Sequence, residues 1–200
     1  MYPVDEAFQG DICYFAVQIG GGTLAFAAPD TDAFEYDALL TQPSDLLGAL
    51  FTIYLTTHAT SSQSDVVEHA TTRAAQYLAW RCVPGYRITP PLTAADLNPS
   101  SLPHPVSTAI VTLADELGRG TLVPEVLGDV AYHDYLAGTG ALLGDVFALF
   151  TTLLRLDADE QVVNLAHARW RTAQYVRAYV DPTYQVEPPF TEDETGGLEP

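Results

Sequence analysis

The chain has 200 residues, 48% of them apolar, which is enough for one domain with a substantial core. Its 26 acidic and 8 basic residues give a net charge of −18, so binding of nucleic acid or anionic lipid through a basic patch is excluded as a leading function. All the basic residues are arginine. The acidity and the missing lysine fit a halophilic or high-GC source, or a surface that meets a basic partner or imitates nucleic acid.

Taken in chain order, Met1 to Asp11 is acidic and lacks the basic and apolar regions of a signal peptide. Residues 12–28, ICYFAVQIGGGTLAFAA, alternate on both sides of three glycines. That pattern predicts a β-hairpin turning at Gly20, Gly21 and Gly22, with both faces apolar and packed on helices. A phosphate loop would need a helix after the glycines and, in a Walker motif, a lysine. Pro29 then breaks the strand.

Helices are expected from about residue 43. Pro43, Ser44 and Asp45 open one, whose face is Leu46, Leu47, Leu50, Phe51 and Tyr54. Ser64 or Asp65 caps a second, which runs through Val67, Ala70, Ala74, Tyr77 and Leu78 to Pro84 and Gly85. Tyr86 to Pro105 is rich in proline and reads as an ordered loop. Val106, Ala109, Ile110, Leu113, Ala114 and Leu117 keep strict helical spacing up to Gly118. Another helix starts at Pro124. The run ALLGDVFALFTTLLRL, from Ala141 to Leu156, is apolar on nearly all sides, as in a central helix, and is too short to cross a bilayer. The last helix follows Asp157 and Glu160 and carries Arg169, Arg171 and Arg177. Residues 183–200 read as an acidic, flexible tail after a single globular domain, residues 1–182. No internal repeat is evident.

Candidate chemistry is sparse. Cys13 and Cys82 each lie in an apolar segment and read as buried small hydrophobes. GTGALLGD, from Gly138 to Asp145, has the wrong glycine spacing and no preceding strand for a dinucleotide fingerprint. No two of the five histidines have metal-ligand spacing on one helix. A metal site would have to be assembled between helices from His58, His69, His133 and Asp134. The remaining concentrated feature is Arg169, Trp170, Arg171, Tyr175 and Arg177, residue types that anchor protein interfaces.

The sequence thus predicts a helix-rich α+β fold: an N-terminal β-hairpin on a bundle of about six helices. The expected function is a non-catalytic, acidic interaction or assembly protein, an accessory or virion-type component working through a protein partner or self-association. The arginine–aromatic helix would be a contact surface. No cofactor is expected, and the expected location is the cytoplasm or a particle assembled there. The alternatives are a metal-dependent hydrolase using the His/Asp set and an acidic nucleic-acid mimic that binds a basic protein.

Overall fold

In the computed structural model, the segment expected to form the hairpin is a helix, and the α+β expectation gives way to an all-helical fold. The structure describes residues 4, 6–28, 45–61, 64–102, 105–130, 141–156 and 161–199, and no strand occurs among them. In chain order the helices are α1 (Glu6–Gly20), α2 (Leu46–Thr60), α3 (Val66–Cys82), α4 (Pro105–Arg119), α5 (Pro124–Leu127), α6 (Ala141–Leu156), α7 (Gln161–Val180) and α8 (Glu192–Thr195). Short 3-10 turns occupy Leu24–Ala27 and Pro99–Ser101. Among the described residues, no helix is long and apolar enough to cross a membrane.

The hairpin fails for a specific reason. A stretch apolar on both faces satisfies a period of 2 and a period of 3.6 equally well. Ile12, Phe15, Ala16 and Ile19 recur at helical spacing, and all four are fully buried on one side of α1. The glycines end this helix instead of reversing a ribbon. Gly22 adopts a φ of 69°, the Thr23 amide donates to the Gln18 carbonyl at 3.0 Å, and the Gly22 amide donates to the Ile19 carbonyl at 3.2 Å. This is a Schellman cap, for which a left-handed glycine is the natural residue.

The same cap recurs at the end of α4. Gly120 has a φ of 69°, Thr121 donates to the Glu116 carbonyl at 2.8 Å, and Gly120 donates to the Leu117 carbonyl at 3.3 Å. The sequences match as well. Gly22-Thr23-Leu24 becomes Gly120-Thr121-Leu122 at a shift of 98 positions. At that shift Arg73, Gln76, Tyr77, Pro84, Tyr86, Pro90, Pro91 and Thr93 recur as Arg171, Gln174, Tyr175, Pro182, Tyr184, Pro188, Pro189 and Thr191. Leu46-Leu47-Gly48 and Phe51 recur as Leu142-Leu143-Gly144 and Phe147, at a shift of 96. The chain is an internal duplication. One unit holds α1, α2 and α3. The other holds α4, α6 and α7, with α5 standing where the first unit has its Leu24–Ala27 turn.

The two units cross over. Within each, the long helices pair as α2 with α3 and α6 with α7. The first helix of each unit packs on the second helix of the other, α1 along α6 and α4 along α2. The close approaches match in pairs. A Cβ at Gly48 would meet Asp115 side-chain atoms at 3.1 and 3.2 Å, and one at Gly144 would run into Cγ2 of Val17, the counterpart of Asp115. Between the units, Phe51 and its equivalent Phe147 stack with centroids 4.3 Å apart and planes at 16°. Both rings are fully buried. Phe15 adds a second contact to the core, stacking on Tyr54 at 4.0 Å and meeting Phe51 edge-on at 5.0 Å.

Residues after α7 fold back on the molecule. α8 starts with a capping box between Thr191 and Glu194 and lies against α6. Phe190 and Leu198 pack against the core, and the Tyr175 hydroxyl donates to the Glu199 carbonyl at 3.2 Å.

Candidate functional site

Each unit holds its proline-rich segment to its third helix with the same clamp. In the second unit the clamp is complete. Arg171, only 1% exposed, donates from Nη1 to Gln174 Oε1 at 2.9 Å and to the Pro188 carbonyl at 2.7 Å. Gln174 Nε2 donates to the Glu187 carbonyl at 3.0 Å. The opposite edge of the guanidinium grips Glu194 in a fork, from Nε to Oε1 and from Nη2 to Oε2, both at 2.9 Å. Phe190 lies under the group, 4.0 Å from the ring centroid to the guanidinium carbon. A buried cation is tolerated when its donors are satisfied and a carboxylate faces it, and here both conditions hold.

In the first unit the clamp is half made. Arg73, 7% exposed, donates from Nη1 to Gln76 Oε1 at 2.9 Å and to the Pro90 carbonyl at 2.7 Å. The counterpart of Glu194 is Asp96, one methylene shorter. Its Oδ2 turns back to accept from the Thr93 amide at 2.7 Å and the Thr93 hydroxyl at 2.8 Å. It makes no ion pair with Arg73, and Leu92 stands where the second unit has Phe190. Burial lowers the Arg73 pKa, with the field of Asp96 offsetting only part of that.

Beside this clamp lies an open groove of about 410 Å³ between α3 and the chain that follows it. Its walls are Tyr77, Trp80, Tyr86, Ile88, Leu92 and Leu97, with Arg87 at the rim. Trp80 is 52% exposed and Leu97 45%, an apolar surface that is costly to leave in water. The volume lies within the range of ordinary binding sites. The corresponding region of the second unit, around Val186, Pro189 and Phe190, is a larger and more open depression of about 870 Å³.

The arginines divide sharply. Arg81, Arg119, Arg155, Arg169, Arg171 and Arg177 each have a carboxylate partner. Among the described residues Arg73 and Arg87 have none, and both belong to this one region. What the arrangement offers is recognition: guanidinium donors beside aromatic and aliphatic walls.

The residues singled out from sequence fall in several places. Arg171 and Tyr175 are buried. Arg169 is partly buried and forks onto Glu116. Arg177 donates to the Leu127 carbonyl at 2.8 Å and to Asp181 Oδ2 at 2.9 Å. Trp170 is half-buried beside Arg171. His58 Nε2 lies 2.9 Å from Asp11 Oδ2, with its ring against Phe8 and Tyr54. His69 is on α3, at a partly exposed position. His133 and Asp134 lie outside the described residues. Among the described residues no three His, Cys, Asp or Glu side chains come together as metal ligands would. Cys13 and Cys82 are free, and burial raises the pKa of both thiols. Reading the sequence alone missed Arg73, Arg87 and Trp80. The signal that finds them is the recurrence of Arg-x-x-Gln-Tyr and Pro-Pro-x-Thr at a fixed shift.

Residues 101–197 match a family model described as a domain of unknown function (DUF7677). No curated protein and no solved structure matches the chain. The matched stretch coincides with the second unit of the duplication, so the boundary drawn from packing and recurrence is also the boundary of a recognised sequence unit.

Proposed function

We propose that this chain is a non-catalytic interaction protein that works in the cytoplasm, or in a particle assembled there, and that the groove beside α3 is its principal contact surface. The observation that carries the reading is the exposed wall of Trp80 and Leu97 above Tyr77, Tyr86 and Ile88. Aromatic residues and arginine are the types that anchor protein interfaces, and a concave apolar patch rimmed by charge is the usual form of one. The net charge of −18 keeps the rest of the surface from associating indiscriminately. In this proposal the half-buried Trp170 and the neighbouring Arg169 on α7 form a smaller secondary contact.

The test is capture from the native extract with the intact protein and with the double variant Trp80→Ser, Leu97→Ser. Both side chains are exposed, so the variant should keep its thermal midpoint within a few degrees. A protein retained by the parent and lost with the variant is the expected result. A parent that stays monomeric at high concentration and retains nothing would end the proposal.

A further inference from the structure

We infer that the first-unit groove docks a peptide segment of a partner protein, one presenting an apolar or aromatic side chain to the Trp80 wall and a glutamate carboxylate to Arg73. This deepens the function proposed above and rests on the groove being a contact surface.

The argument comes from comparing the two copies of one clamp inside one molecule. In the second unit Arg171 spends its Nε and Nη2 donors on Glu194, which the chain itself delivers from a segment that also supplies Phe190. In the first unit the same arginine, at the same place on its helix and bound to the same glutamine and proline carbonyl, lacks both contributions. Its Nε and Nη2 have no partner among the described residues. Neither atom is among the side-chain polar atoms sealed from solvent without a hydrogen bond, so each keeps some contact with solvent although the residue as a whole is 7% exposed. A nearly buried guanidinium with three unmet N–H donors is a strong attractor for a carboxylate, and the fork geometry favours a bidentate one.

Charge complementarity points the same way. In a chain with 26 acids for 8 arginines, two have no carboxylate partner among the described residues: Arg87, which lines the groove, and Arg73, whose guanidinium holds the Pro90 carbonyl next to the groove residues Pro91 and Leu92. Arg87 has no cationic counterpart in the second unit, where Gln185 stands in its place. The first unit therefore has no carboxylate in contact with its buried arginine, Asp96 acting on it only through its field, and carries a cation, Arg87, that the second unit lacks. A peptide carboxylate, as opposed to one on a small acid, follows from the precedent. The second unit fills the equivalent site with a glutamate that lies four residues after a phenylalanine, on one short stretch of chain.

The experiment uses the full chain and two synthetic peptides. One copies residues 188–199, the stretch that fills the second unit's clamp. The other is the same peptide carrying Glu194→Gln. Binding is followed through the fluorescence of the protein's tryptophans, since the peptides contain none. Saturable binding of the first peptide is expected, weakened about 10-fold by the glutamine, the loss of one charge-assisted fork. Arg87→Gln in the protein should weaken it about 3-fold.

Arg73 substitutions risk unfolding, so the decisive variant is Asp96→Glu. It restores the length found at Glu194, lets the chain close on its own Arg73, and should raise the thermal midpoint while abolishing peptide binding. Equal binding of the two peptides, or unchanged affinity in Asp96→Glu, overturns the inference. So does phenylacetate displacing the peptide at a lower concentration than the peptide itself requires, because the occupant would then be a small acid. If neither peptide binds while the Trp80→Ser, Leu97→Ser variant still loses its captured partner, this inference falls and the proposed function stands.

Discussion

Changing Glu194→Gln should lower the free energy of unfolding by about 3–4 kcal/mol, measured by chemical denaturation at pH 7. The magnitude follows from what remains. Arg171 is 1% exposed, and the substitution removes the one carboxylate opposite it while leaving the cation in place. Breaking a buried pair on one side costs far more than the pair itself contributes, because an uncompensated charge stays behind. The pH dependence gives a second handle. Burial pushes the Glu194 pKa up, but the hydrogen bonds and charge of Arg171 and the bonds from Thr191 outweigh that, and the net shift is downward. A carboxylate lowered by folding contributes stability that is complete above its unfolded value and disappears as pH falls through the folded one. The gap between parent and variant should therefore be full at neutral pH and close on acidification below the ordinary glutamate value of 4.5. A gap that persists unchanged into acid would mean that the charge of Glu194 is not what matters.

Phe51→Ala and Phe147→Ala should each cost about 3–5 kcal/mol, the usual loss for a large core aromatic. Both rings are fully buried and each is the other's stacking partner, so the two losses should be close in size. The double variant should cost less than the sum, with a coupling of about 0.5–3 kcal/mol, because either single change already leaves the shared space half empty. Strict additivity would show that the two rings do not share one packing site. If one variant cost several times as much as the other, the near-symmetry of the interface would fail as an energetic description.

How much of this could be read beforehand depends on the kind of signal. Length and periodicity placed α2, α3, α4, α6 and α7 well, since each is a long run rich in apolar residues with an identifiable start or stop. They misplaced α1, whose apolar residues fit a period of 2 as well as one of 3.6. The glycine triplet then suggested a turn where it in fact provides a helix cap. Arg171 looked like a surface contact because arginine on a helix usually is one. What buries it is a glutamate more than twenty residues further on, from a segment that reads as a solvated tail. The duplication escaped notice because one part recurs at a shift of 98 and another at 96, and the apolar positions have exchanged one hydrophobe for another. The ungapped recurrence of Arg-x-x-Gln-Tyr and Pro-Pro-x-Thr at the shift of 98 is nevertheless legible in the sequence, and the crossings at Gly48 and Gly144 match it in the fold.

The crossing has thermodynamic weight. With α1 lying on α6 and α4 on α2, each unit supplies a wall of the other's interior. Calorimetry should therefore record one unfolding transition for the whole chain, with calorimetric and van't Hoff enthalpies in agreement. Two separate transitions would mean that the units stand alone.

Joining both copies in one polypeptide also changes what evolution can do with them. In a dimer of identical subunits every substitution appears twice, so shortening the glutamate that neutralises a buried arginine would strike both ends of the assembly together. Here the two sites can differ: Glu194 closes the clamp on Arg171 in one unit, while Asp96 in the other turns back to Thr93 and leaves Arg73 without an ion pair.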